Sequence, residues 1–241
     1  MTPSDDLYNS AVRLLDKRYF TQAQELIDYG LAEVPDSGRL WELRGLAQAA
    51  QEDTLAAWIS LQKAVNLGHE LCASGILVLA DCNALADNRR EARGLYMRLV
   101  DRADSSTEVF KRTADGLAAI GEWGLSALAS EEWCGMAPDD SRAWYSLSLS
   151  LAQIEGDLGE INDAVNEAVR LSPRDSELRI GVAMIWCQLG HQTAAYSYIC
   201  NFTKADLSGS YCACNLRRLQ NIYYDAKDWT RSEWCRRLLR R

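Results

Sequence analysis

The sequence predicts an all-α solenoid of about seven helix-turn-helix repeats, and three observations carry that expectation. The 241-residue chain is rich in Ala, Leu, Glu, Arg and Gln, and its 4 Pro and many of its 15 Gly fall between helical runs instead of marking hairpin turns. Apolar residues recur every three or four positions, as in Leu7, Ala11, Leu14 and Leu15 or Ala23, Leu26, Ile27 and Leu31. Each helix therefore carries one apolar stripe that a neighbour must cover. Finally, Pro35, Pro138 and Pro173 each close an amphipathic run, with gaps of 103 and 35 residues, near multiples of 34.

The first two units show the repeat directly. A shift of 34 carries Leu7 onto Trp41, Ala11 onto Gly45, Ala23 onto Ala57, Ile27 onto Leu61 and Gly30 onto Ala64. Small residues land on small ones, which lets helices approach closely, and large ones fill the gaps between. This pattern resembles the tetratricopeptide repeat, a 34-residue helix-turn-helix unit. The second unit fits it with Trp41, Gly45, Ala57 and Ala64, although His69 stands where Pro is usual. Further copies are seen at Ile76, Ala80, Ala92 and Tyr96, at Phe110, Ala114, Ser126 and Pro138, at Trp144, Val165, Ala168 and Pro173, and at Ala183, Gly190, Ala195 and Ile199. Trp133 takes a place the family gives to Ala, and the unit from about Tyr211 is truncated. The resemblance implies a right-handed superhelix forming one domain over 1–241, with repeats near 4–37, 38–71, 73–106, 107–140, 142–175 and 176–209 and an atypical cap at 210–241.

Helix boundaries are expected from local chemistry. Thr21 with Gln24 and Ser105 with Glu108 fit the capping box, and Gly68, Gly121 and Gly190 stand where helices should stop.

Charge and motif content exclude several functions. With 34 acidic and 26 basic residues the net charge is -8, a poor match for nucleic acid and suited to an acidic cytoplasmic protein. The N-terminus lacks a signal-peptide pattern, and no apolar run approaches the roughly 18 residues of a membrane span. No phosphate loop, dinucleotide motif or H-E-x-x-H occurs. The two histidines, His69 and His191, fall at predicted turns about 3.5 repeats apart, so a nucleophile-base arrangement would have to be built on one of them, and turn histidines are usually solvated polar residues. Cys212 and Cys214 lack a second pair to complete a zinc site, and the eight thiols read as reduced. No enzyme activity, cofactor or metal is expected.

What remains is a surface for protein partners. The resemblance implies a groove lined by the first helix of each repeat, which places Tyr8, Glu42, Leu46, Leu77, Asp81, Lys111, Arg112, Asp115, Ser146, Ser150, Glu177, Met184 and Gln188 along it. Family members that hold chaperone tails use repeated Lys and Asn; here Lys111 meets Asp115, and Tyr8, Glu42 and Leu77 replace the other cations, so that clamp is missing. Residues 211–241 carry a net +5 against -13 for the rest. Arg217, Arg218, Arg231, Arg236, Arg237, Arg240 and Arg241 thus form a basic end suited to an acidic filament or to another copy head-to-tail. Trp58, Trp123, Trp229 and Trp234 lie outside the packing slots and, where exposed, mark a contact surface. The expected role is a non-enzymatic scaffold or adaptor in a cytoplasmic assembly, resembling the kinesin light chain; the alternatives are a groove-binding chaperone and, more remotely, an enzyme with an unrecognised site.

Overall fold

The chain turns back on itself at regular intervals, through a residue in the left-handed region each time. Arg18, Glu52, Asp87, Gly121, Glu155, Gly190 and Lys227 all have positive φ, between 54° and 83°, and are spaced 34 to 37 residues apart. Gly121 and Gly190 adopt this geometry freely. The other five hold a Cβ against the backbone at a cost of about 1–2 kcal/mol each.

A computed structural model describes residues 3–102, 105–208 and 213–240. Among them are fourteen α-helices and no strand, in seven successive pairs: α1 (Pro3–Asp16) and α2 (Phe20–Glu33), α3 (Gly38–Ala50) and α4 (Thr54–Asn66), α5 (Ala73–Leu85) and α6 (Arg89–Val100), α7 (Thr107–Ala119) and α8 (Trp123–Met136), α9 (Ser141–Gln153) and α10 (Leu158–Leu171), α11 (Ser176–Gln188) and α12 (Gln192–Ile199), α13 (Ala213–Asp225) and α14 (Trp229–Leu238). The all-α helical-repeat solenoid read from the sequence is the observed architecture. By packing, residues 1–125 and 126–241 form two compact units.

In the first unit, α1, α3, α5 and α7 pack in series, while α2, α4 and α6 each lie against their own first helix and the next one. Its core includes Ala11, Ile27, Leu31, Leu40, Leu43 and Ala47, with Tyr8, Trp41 and Leu46 packed around it. Close approach needs the small residues: a Cβ added at Gly45 would sit 2.6 Å from Leu61 Cγ. In the second unit α9, α11 and α13 pack in series, with α10 and α12 between them in the same manner. The two units share one local device. The Trp41 indole donates to the Pro35 carbonyl at 2.7 Å, and Trp144 donates to Pro138 at 2.9 Å, tying a first helix to the loop that enters it. Trp133, in the Ala slot, is accommodated fully: it is 2% exposed, and its indole N–H has no hydrogen-bond partner among the described residues.

Capping differs from expectation. Thr21 lies inside α2, whose N-cap is Tyr19 without a side-chain hydrogen bond, because the left-handed Arg18 starts the helix two residues earlier. At α7 the cap is Ser106, which accepts from Val109 N, while Ser105 is buried and donates to the Leu99 carbonyl. Asp53, Asp140, Asp157, Asp175 and Asp228 cap five other helices. Cys72, Cys82, Cys134, Cys187, Cys200 and Cys235 are free thiols, but Cys214 is disulfide-bonded, in contrast to the reduced state read from the sequence. Tyr211, Cys212 and Arg241 lie outside the described residues.

Candidate protein-binding groove

The expected groove residues of the first unit are mostly committed to the fold. Glu42 is 5% exposed; its carboxylate accepts from Cys72 N at 2.7 Å and faces His69 Nε2 at 2.8 Å. A Cβ at position 75 would collide with Glu42 Oε1, so Gly75 makes room for it. His69, standing where Pro is usual, is thus half of a polar tie between α3 and the loop entering α5. Leu77 is core, at 2% exposure. Asp81 accepts from Tyr96 OH at 2.7 Å and pairs with Arg112. Burial first, and then the Asp81 charge, push the Tyr96 hydroxyl far above its ordinary pKa, so it remains a donor. Lys111 lies 3.8 Å from Glu108, Arg39 stacks over the Tyr8 ring at 3.9 Å, Leu46 is half-buried, and Asp115 is exposed.

In the second unit two serines close a seam. Ser150 meets Ser126 and Ser146 meets Ser130, each at 2.9 Å, which locks α8 to α9. Glu177, Met184 and Gln188 behave differently: they come together in a recess of about 480 Å³ formed by α9, α11 and α13. Tyr145, Leu149, Ile180 and Met184 give it an apolar floor, and Gln153, Glu177, Gln188, Asn215 and Arg218 give it a polar rim. The rim is ordered by Gln153 Nε2 donating to Gln188 Oε1 at 3.1 Å. Gly181 admits the Tyr145 ring, since a Cβ there would sit 2.5 Å from its hydroxyl.

Tyr145, Leu149, Gln153, Ile180 and Asn215 were not among the sequence-predicted residues. Their signal is a register match: Leu149 and Met184, and Gln153 and Gln188, are each 35 residues apart, one repeat. The recess thus combines an apolar floor, a polar rim and an open mouth.

At the basic end, three of the cations have intramolecular partners. Arg231 pairs with Asp228 at 2.7 Å and donates to the Phe202 carbonyl, and Arg236 and Arg237 both pair with Glu233. Burial opposes ionisation of Asp228, but hydrogen bonds from the Arg231 backbone and guanidinium outweigh it and hold the carboxyl below its ordinary value. Arg217, Arg218 and Arg240 are exposed, and Arg218 joins the recess rim. Trp229 is 57% exposed and meets Tyr224 edge to face, whereas Trp58, Trp123 and Trp234 are half-buried. Among the described residues no His/Cys/Asp/Glu group has the makings of a metal site, and no helix is long and apolar enough to cross a membrane. Burial foremost pushes the thiols of Cys82 and Cys235 up to about 11 and that of Cys134 to about 12, so none is a nucleophile at neutral pH.

Paired helices stacked through small residues define a helical-repeat solenoid. Its fold is the tetratricopeptide-repeat fold. No family model matches the chain, and no curated protein matches it. Solved structures do. A tetratricopeptide repeat protein from Parabacteroides merdae is 16% identical, with 98% of this chain and 97% of that one covered and a TM-score of 0.62. The C-terminal part of a TPR repeat-containing protein from Cytophaga hutchinsonii is 11% identical, covering 96% and 93%, with a TM-score of 0.63. YrrB, described as a TPR protein with an unusual peptide-binding site, is 17% identical, covering 71% of this chain and 88% of that one, with a TM-score of 0.59.

Proposed function

We propose that this protein is a non-enzymatic interaction scaffold of a cytoplasmic assembly, and that the recess of α9, α11 and α13 receives a segment of a partner protein. The supporting observation is the convergence of Tyr145, Leu149, Ile180 and Met184 under a rim of glutamines, Glu177 and Arg218. Such a floor takes apolar side chains of an extended or helical segment, while the rim meets its backbone and polar groups. The peptide-binding site named for YrrB agrees with this reading. The exposed guanidinium groups of Arg217, Arg218 and Arg240 favour an acidic region in the partner, the basis for the narrower reading of an adaptor of the kinesin-light-chain kind on an acidic filament. Because Leu149 and Met184 are only half-buried, the recess equally suits a chaperone that shields an apolar segment.

Peptides selected from a random library on the wild-type protein provide the test. Met184→Lys places a charge in the floor and should weaken those peptides about tenfold or more without changing the circular dichroism spectrum. Selected peptides that bind M184K and wild type equally would place the binding surface elsewhere.

A further inference from the structure

The second helices of the first unit present three different outer faces in chain order. α2 carries Glu25, Asp28 and Glu33 and no basic residue, α4 carries only Lys63, and α6 carries Arg89, Arg90, Arg93 and Arg98 against Glu91. The net charges are therefore -3, +1 and +3. On α4 the buried side is Ala57, Ser60, Leu61 and Ala64, so Leu55, Ile59, Gln62 and Asn66 share the opposite side. Leu55 is 70% exposed and Ile59 52%, one turn apart where a solvated helix normally carries charge. Asp28 and Arg93 have partners of their own, Arg44 at 3.3 Å and Glu122 at 3.1 Å. Glu25, Glu33, Arg90 and Arg98 are exposed and form no ion pair among the described residues.

We propose that this face is a homodimer interface, occupied by the same face of a second copy of the chain. An acidic, apolar, basic order is complementary to itself. A two-fold axis parallel to α4 lays α4 on α4 of the second copy and sets α2 opposite its α6, twice over. The alternative axis, across the helices, sets α2 on α2 and α6 on α6 and is disfavoured by like charge. A uniformly acidic or basic partner would be repelled by one flank, so the charge order selects both the occupant and its orientation. The helices have 14, 13 and 12 residues. At 1.5 Å rise and about 10 Å spacing they offer on the order of 600 Å² per copy, the low end for specific interfaces, which points to a reversible dimer.

Sedimentation equilibrium of the full chain over a concentration series tests this. Wild type should show a monomer–dimer equilibrium, and Ile59→Glu, an exposed position that leaves the fold intact, should weaken it about tenfold or more. The flank charges have their own readout. A variant with α2 reversed (Glu25→Lys, Glu33→Lys) and one with α6 reversed (Arg90→Glu, Arg98→Glu) should each dimerise poorly alone and associate when mixed, since each then supplies what the other lacks. Monomeric wild type throughout the micromolar range, a dimer untouched by I59E, or charge-reversed variants that fail to recover on mixing would each overturn the proposal. Binding of a peptide in the α9–α11–α13 recess is a separate measurement, so either idea can fail alone.

Discussion

Glu42 shows what a single residue does here. By register it belongs to a first helix and to the groove, yet its carboxylate is spent on Cys72 N and His69. The register was legible; the burial was not, because it depends on a loop 30 residues away folding over α3. Glu42→Ala leaves the part-buried Cys72 N–H without its acceptor and should cost roughly 1–3 kcal/mol, whereas Glu42→Gln keeps an acceptor and should cost less, about 1 kcal/mol. Urea unfolding separates the two, and equal losses would mean that the carboxylate acts only by filling space.

At the scale of helices, the turn within each pair is the repeating constraint, and the sequence marks it unevenly. Gly121 and Gly190 announce a left-handed turn, while Arg18, Glu52, Asp87, Glu155 and Lys227 occupy the same geometry with side chains that disfavour it. Packing of the two helices imposes that backbone, which is why the capping box at Thr21 failed: the turn at Arg18 had already begun α2. Glu155→Gly should then raise stability by about 0.5–1 kcal/mol, the relief of left-handed strain minus the entropy of a free glycine. Thermal melts test this, and a lower melting temperature for E155G would indicate that the Glu155 side chain, not its backbone, matters. The last interval, 37 residues from Gly190 to Lys227, spans the 3-10 turn Asp206–Ser208 before α13.

Within each unit of the molecule, contacts run from a helix to its partner and to the next repeat, so local stability should follow the number of neighbours. Among the described residues α13 packs against α11, α12 and α14, and α14 against α13 and the 3-10 turn, whereas α11 packs against α9 and α10 on one side and α12 and α13 on the other. Hydrogen exchange should therefore be faster in α13 and α14 than in α9 and α11, and uniform protection across them would show that the unit unfolds as one body. The sequence by itself determined the helical-repeat architecture, because apolar stripes and small residues at a 34-residue period admit no other way of hiding the stripes. Only tertiary structure decided which first-helix residues stay open: it buried Glu42, Leu77 and Ser150, gathered Tyr145, Leu149, Met184 and Gln188 into one recess, and left Leu55 and Ile59 uncovered. Periodicity states which side of a helix faces inward, but whether an outward residue reaches a neighbouring loop or solvent depends on distances between repeats that no single helix encodes.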